Sequence, residues 1–151
     1  MELQSTDPRR HSIDASRIVS GLYQGSIPAT GGAARRSGFH VIVLCAEEYQ
    51  PRGHEFEGPL VVHAPMDDGK ITPELWETAV QAATHVAKAR RAGKRVLVTC
   101  AAGRNRSGLV SALSLMMLEG LSGRRAVALV KSKRQDALTN PYFVKALEKL
   151  R

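Results

Sequence analysis

Cysteine is scarce in this chain. Two residues, Cys45 and Cys100, cannot build the disulfide framework of a small secreted domain, so the default compartment is a reducing one, the cytoplasm. Aromatics are few as well. Three Tyr, three Phe and one Trp in 151 residues leave little for a base-stacking platform, which argues against a nucleic-acid ligand. No apolar run reaches membrane-spanning length, since the longest, Leu109 to Leu118, is broken by serines. The opening MELQSTDPRRHS lacks the hydrophobic core of a signal peptide and reads as a flexible polar tail over 1–12. Neither linker nor internal repeat interrupts 13–151. That stretch is expected to be one domain, long enough to bury a core without metal or disulfide.

What is present is an ordinary globular composition with a basic surplus. Hydrophobic residues make up 43% and charged residues 24%, and the net charge is +8. The surplus favours phosphorylated or otherwise anionic partners and is compatible with peripheral contact at a membrane surface. The basic residues are scattered rather than gathered in one run, as on solvated helix faces; Lys131, Lys133 and Arg134 fit either that role or attraction of an acidic substrate.

Along the chain, Ile18 to Ser26 predicts two short strands around a turn at Ser20-Gly21, and Ala33 to Arg36 a short helix. VIVLC (Val41 to Cys45) and LVVHAP (Leu60 to Pro65) are continuous apolar runs, as in strands covered on both faces. ITPELWETAVQAATHVAKARRAG carries Thr72 as N-cap, Pro73 at the first helical position and Gly93 as stop, with Leu75, Ala79, Ala83 and Val86 on one face. Strand 95–99 follows, then a glycine-containing turn and an all-round apolar helix ending at Gly120. A basic amphipathic helix spans roughly Gly123 to Arg134, and a last helix opens at Asn140-Pro141. Alternating strands and helices predict an α/β fold, a largely parallel sheet with helices on both faces. In such a sheet ligands bind beyond the C-terminal strand ends, where Cys45, Asp67-Asp68 and Cys100 would all fall.

The turn VTCAAGRNRSG, Val98 to Gly108, carries the chemistry. A strand, a tight turn and a helix start make an anion site: backbone N–H groups converge and the helix dipole presents its positive end. A helix N-terminus and a nearby guanidinium lower a thiol pKa by about 3 units, enough to make thiolate the main form at neutral pH. Arg106 can return across the loop with a planar fork that grips two phosphate oxygens. Gly103 permits close backbone approach, and Ser107 can donate a hydrogen bond to the cysteine sulfur. Asp68, beside Asp67, can protonate a leaving oxygen and then take a proton from water. Each feature alone is commonplace: a buried small cysteine, a plain N-cap, a DDG turn. Their joint placement favours an enzyme.

C-A-A-G-R-N-R-S, Cys100 to Ser107, resembles the C-x5-R-[S/T] motif of cysteine-based protein tyrosine phosphatases, especially dual-specificity phosphatases. SRIVSGLYQGSIPATG resembles the N-terminal strand pair of that family, and VKSKRQDALTNPYFVKALEKL its closing helices. The resemblance implies hydrolysis of phosphomonoesters, phosphotyrosine with phosphoserine or phosphothreonine, through a phosphocysteine intermediate and without metal or other cofactor. It makes Cys100 the nucleophile, Arg106 the phosphate clamp, and the backbone of Ala101, Ala102, Gly103, Arg104, Asn105 and Arg106 the cradle. The family's x-P-x-x-D pattern fits Pro65 to Asp68 and selects Asp68, 32 residues before Cys100, as the general acid, with Asp67 the alternative. One position departs from the family, Thr99, where a histidine usually precedes the nucleophile. VLCAEE (Val43 to Glu48) and C-A-A-G-R resemble the phosphoinositide-directed branch, and N-R-S-G resembles RNA 5′-triphosphatases. A lipid phosphatase, an RNA 5′-triphosphatase and a catalytically weak phosphate-binding module are therefore the alternatives. Cys45 is a further candidate, for a reversible disulfide with Cys100 or for a plain core cysteine.

Overall fold

Short β-branched runs alternate with capped helices, and the chain folds accordingly. The structure is a computed structural model that describes residues 13–28, 30–52 and 56–151; the tail expected over 1–12 lies outside them. Strands β1 (Ala15–Val19) and β2 (Leu22–Ser26) flank the turn at Ser20-Gly21, where Gly21 has φ +77°. Helix α1 (Gly31–Arg36) starts two residues earlier than its sequence suggests, because Thr30 caps it by accepting from the Ala33 N–H at 3.0 Å. Strands β3 (Val41–Ala46) and β4 (Leu60–Met66) come next, then α2 (Pro73–Arg91), β5 (Val96–Cys100), α3 (Arg106–Glu119), α4 (Gly123–Lys133) and α5 (Pro141–Glu148). Thr72 caps α2 by accepting from Leu75 N–H at 3.1 Å. Gly120, left-handed at φ +67°, stops α3.

The sheet order is β1-β2-β5-β3-β4. The β1–β2 pair is antiparallel and the other three pairings are parallel. β5 lies between β2 and β3 and is buried at every residue, as its apolar run predicts. β4 has an equally apolar run but sits at the edge, with Leu60 and His63 exposed and Val61 and Val62 half-buried. It is therefore not covered on both faces: an edge strand and a central strand of this length read alike in sequence.

The helical layers are unequal. Helices α2 to α5 pack one face through Ala79, Ala83, Val86, Leu109, Leu113, Val130 and Phe143. Burying each large aliphatic or aromatic side chain contributes about 1.5–3 kcal/mol. Among the described residues the other face carries only α1, with Phe39 and Phe56 against Tyr23, Ile42 and Leu97. What matters for function is that β3, β4 and β5 run parallel, so the segments after Cys45, Met66 and Cys100 emerge on one edge of the sheet.

Candidate active site

The site is assembled at the end of β5, where the chain turns through 101–105 into α3. Cys100 ends the strand and is 3% exposed, so its sulfur lies on the floor of the turn rather than at its mouth. Ser107, in the first turn of α3, places Oγ 3.2 Å from Cys100 Sγ. Thr99 faces back into the sheet and donates to the Val43 carbonyl at 2.8 Å, tying β5 to β3 just before the turn.

The turn is shaped from outside. Arg134, the residue that ends α4, donates from Nε to the Gly103 carbonyl (2.7 Å) and from Nη2 to the Ala102 carbonyl (3.2 Å). Buried Gln24 on β2 donates to the same Gly103 oxygen at 3.0 Å, and the Leu138 N–H holds the Arg104 carbonyl at 3.1 Å. Three successive carbonyls are thus pulled outward. In a trans peptide the following N–H points the opposite way, so the N–H groups of Gly103, Arg104 and Asn105 face the inside of the turn. Converging N–H groups at a helix N-terminus are an arrangement suited to an anion. Gly103 has φ +68°, and a Cβ there would lie 2.4 Å from the Gly25 carbonyl carbon, so only glycine fits against β2.

Arg134 is therefore a strap, not a solvated helix charge. Nη1 and Nη2 also bind Asp14 (3.1 and 2.8 Å), and Nη1 reaches Ser16 Oγ at 3.1 Å. The Arg134 hydrogen bond is the main cause holding the Asp14 carboxyl below its usual 3.8, partial burial opposing it. Arg134→Met is expected to destabilise the fold by about 2–3 kcal/mol in urea unfolding, as a charged multidentate donor is lost. A depressed carboxylate contributes stability above its unfolded pKa, and that contribution disappears as pH falls through the folded value. The gap between wild type and variant should accordingly shrink as pH is lowered from 6 to below 3.8. A gap independent of pH would mean that Asp14 takes no part.

Arg106 opens α3 and is 7% exposed. Its Nη1 binds Glu48 Oε1 and the Met66 carbonyl (3.1 Å), and its Nη2 binds Glu48 Oε2 at 3.1 Å. Burial disfavours its charge, but Glu48, together with Cys100 and Asp68, outweighs that and raises its pKa. Glu48 is held below the usual carboxylate range, chiefly by the same bond. Of five guanidinium hydrogens, Glu48 and Met66 take three at the Nη1/Nη2 end. The Nε–H, buried without a partner among the described residues, and one Nη2 hydrogen remain, side by side on the other edge of the fork. That edge has the spacing of two phosphate oxygens.

Asp68 follows β4 and is held by two amides: Asn140 Nδ2 reaches Oδ1 at 2.8 Å and Asn105 Nδ2 reaches Oδ2 at 3.1 Å. Asn140 Oδ1 at the same time caps α5 at Tyr142 N (2.9 Å). Asn105 Oδ1 accepts from the N–H groups of Thr139 (2.8 Å) and Asn140 (2.9 Å). The cradle turn, the Asp68 loop and the start of α5 are thereby one hydrogen-bonded unit. Asp67 is exposed and makes no side-chain hydrogen bond to the turn among the described residues. Arg104 is exposed, its nearest acidic partner being Asp136 at 4.0 Å, while Ala101 and Ala102 form the open rim.

All residues predicted for the site therefore gather at one edge. Cys45 lies behind them in the core, fully buried; burial first, and the charge of Cys100 second, push its thiol well up, and both cysteines are free thiols. Sequence reasoning missed the roles of Glu48, Gln24, Arg134 and Asn140. Only Asn140 carried a local signal, its place before Pro141 at a helix start.

The family described as dual specificity phosphatase, catalytic domain, matches residues 22–151. Human dual specificity phosphatase 28 is 32% identical over 133 residues, spanning 88% of this chain and 75% of that protein. The crystal structure of human DUSP28 superposes with a TM-score of 0.76 at 30% identity, over 93% of this chain and 94% of that one. A mouse putative dual specificity phosphatase, crystallised as a complex with zinc tungstate, superposes with a TM-score of 0.78 at 28% identity, over 96% and 90% of the two chains.

Proposed function

From the premise that this chain belongs to the dual-specificity phosphatase family of cysteine-based protein tyrosine phosphatases, we propose that Cys100 is its nucleophile, Arg106 its phosphate clamp and Asp68 its general acid. The protein is a cysteine-dependent phosphatase, a hydrolase of phosphomonoesters. Phosphorylated substrates follow from the family, with phosphotyrosine, phosphoserine and phosphothreonine side chains as the substrate groups.

The phosphate sits in the cradle of N–H groups with two oxygens on the Nε/Nη2 edge of Arg106. Cys100 Sγ attacks phosphorus as thiolate, and the bond to the alcohol or phenol oxygen breaks. Asp68 gives that oxygen its proton, leaving a phosphocysteine and an ionised Asp68. Water then attacks phosphorus while Asp68 takes one of its protons. The S–P bond breaks, and the departing sulfur anion is stabilised by a hydrogen bond from Ser107, 3.2 Å away. The observation that supports this reading is the outward pinning of the carbonyls of Ala102, Gly103 and Arg104, which turns three N–H groups to the inside of the turn between Cys100 and Arg106.

Asp68→Asn tests the acid. With a poor leaving group such as phenyl phosphate, turnover is expected to fall by about 10²–10⁴-fold; with an activated nitrophenyl ester the loss should be much smaller. Equal losses on both esters would assign Asp68 to structure alone. A panel of aryl phosphate, phosphoserine peptide, soluble phosphoinositide and triphosphate-ended RNA separates the substrate classes. Inactivity on all of them would leave only a phosphate-binding module. Among the described residues no helix is long and apolar enough to cross a membrane. Two free cysteines, and a proposed reaction that needs a reduced sulfur, support a cytoplasmic location.

A further inference from the structure

Among the described residues the sheet ends in an unpaired edge at β4, which runs from 60 toward the active site. Among the described residues β4 pairs only with β3. Leu60 N–H donates to His40 O at 2.9 Å, in a register that sets Leu60 opposite Val41. Leu60 and Val62 therefore turn their backbone groups inward, and alternation turns those of Val61 and His63 outward. Proteins commonly blunt such edges with proline, charge or a covering element. Here Pro65 closes the end nearest the active site, and no described strand pairs with 60–63 on the outer side.

Two further features mark the same edge. Leu60 is 69% exposed, one of two large hydrophobic side chains so exposed among the described residues. Cavities of about 680 and 440 Å³ lie beside it, and both are lined by Leu60, Val62 and His85, so one apolar floor runs from β4 onto α2. Arg35, Lys88 and Lys94 supply cations around the larger cavity, and no Asp or Glu among the described residues lines either one. The groove lies at the N-terminal ends of β3 and β4, whereas Cys100 and Asp68 follow C-terminal strand ends.

We propose that this edge docks an extended, acidic segment of a partner protein, which adds as a strand beside β4. Its backbone pairs with Val61 and His63, alternate apolar side chains cover Leu60 and Val62, and carboxylates face Arg35, Lys88 and Lys94. Main-chain pairing supplies affinity, and the apolar and cationic positions supply selectivity. A second copy of this chain fits less well, because an edge-to-edge pair would bring two cationic rims together.

The test uses a fluorescein-labelled peptide of alternating Glu and Val, titrated into the intact protein by anisotropy and followed by amide NMR. Saturable binding is expected, with shifts and slowed exchange at the Val61 and His63 amides. N-methylation of the peptide at alternate residues should weaken it at least about tenfold, since strand addition needs those N–H groups. The double variant Lys88→Glu/Lys94→Glu should weaken it by about tenfold and leave aryl phosphate turnover unchanged. Equal binding of the methylated peptide, or of a Lys-Val peptide, would overturn the proposal. So would edge shifts produced only by self-association or by phosphatidylserine vesicles, with none from the peptide.

Discussion

Cys100→Ser is expected to abolish turnover, by on the order of 10⁴-fold or more, while oxyanion binding survives. Serine preserves shape and the contact with Ser107, yet its hydroxyl ionises too weakly to attack phosphorus at neutral pH. The cradle is built by others. Arg134, Gln24 and Leu138 hold the carbonyls outward, so the inward N–H groups persist when the sulfur is gone. Affinity for tungstate, read by calorimetry, should therefore change by less than about tenfold as turnover vanishes. Activity retained in the variant would end the nucleophile assignment. Loss of tungstate binding together with activity would mean that the thiol itself shapes the loop.

That separation between sulfur and cradle shows what a linear sequence can reveal. The strand, glycine turn and buried helix around Cys100 were legible because apolar runs, Gly103 and Gly120 act within a few residues. The same holds for α2, with Thr72 and Pro73 at its start. The parallel arrangement that brings Asp68 to Cys100 followed from strand–helix alternation. The braces were not legible, because each joins distant segments: Arg134 lies 31 residues from Gly103, Gln24 lies 79 from it, and Arg106 lies 58 from Glu48. In sequence Arg134 is one more cation on a basic helix, and Glu48 one of four glutamates in a polar loop. Only pairing geometry distinguishes them. The edge position of β4 was hidden for a related reason, since an apolar run states that a strand exists but not what lies beside it.

Arg106→Lys isolates the fork from the charge. The Nη1/Nη2 end of the guanidinium is fixed by Glu48 and the Met66 carbonyl, and the Nε/Nη2 edge has no partner among the described residues, which is the edge proposed to take phosphate. On the proposed assignment, Glu48 aims the clamp without blocking it. An ammonium keeps the positive charge but is a single point; it can satisfy Glu48 or approach phosphate, and it cannot hold both in one plane. Loss of the bidentate grip in the transition state is expected to lower kcat/KM by roughly 10³-fold, about 4 kcal/mol. Most of the loss should appear in kcat, because charge build-up on the transferring oxygens strengthens the fork's contacts beyond those in the bound substrate. Steady-state kinetics on an aryl phosphate would show this. A change confined to KM would make Arg106 a ground-state binding group, and the catalytic use of its free edge would have to be abandoned.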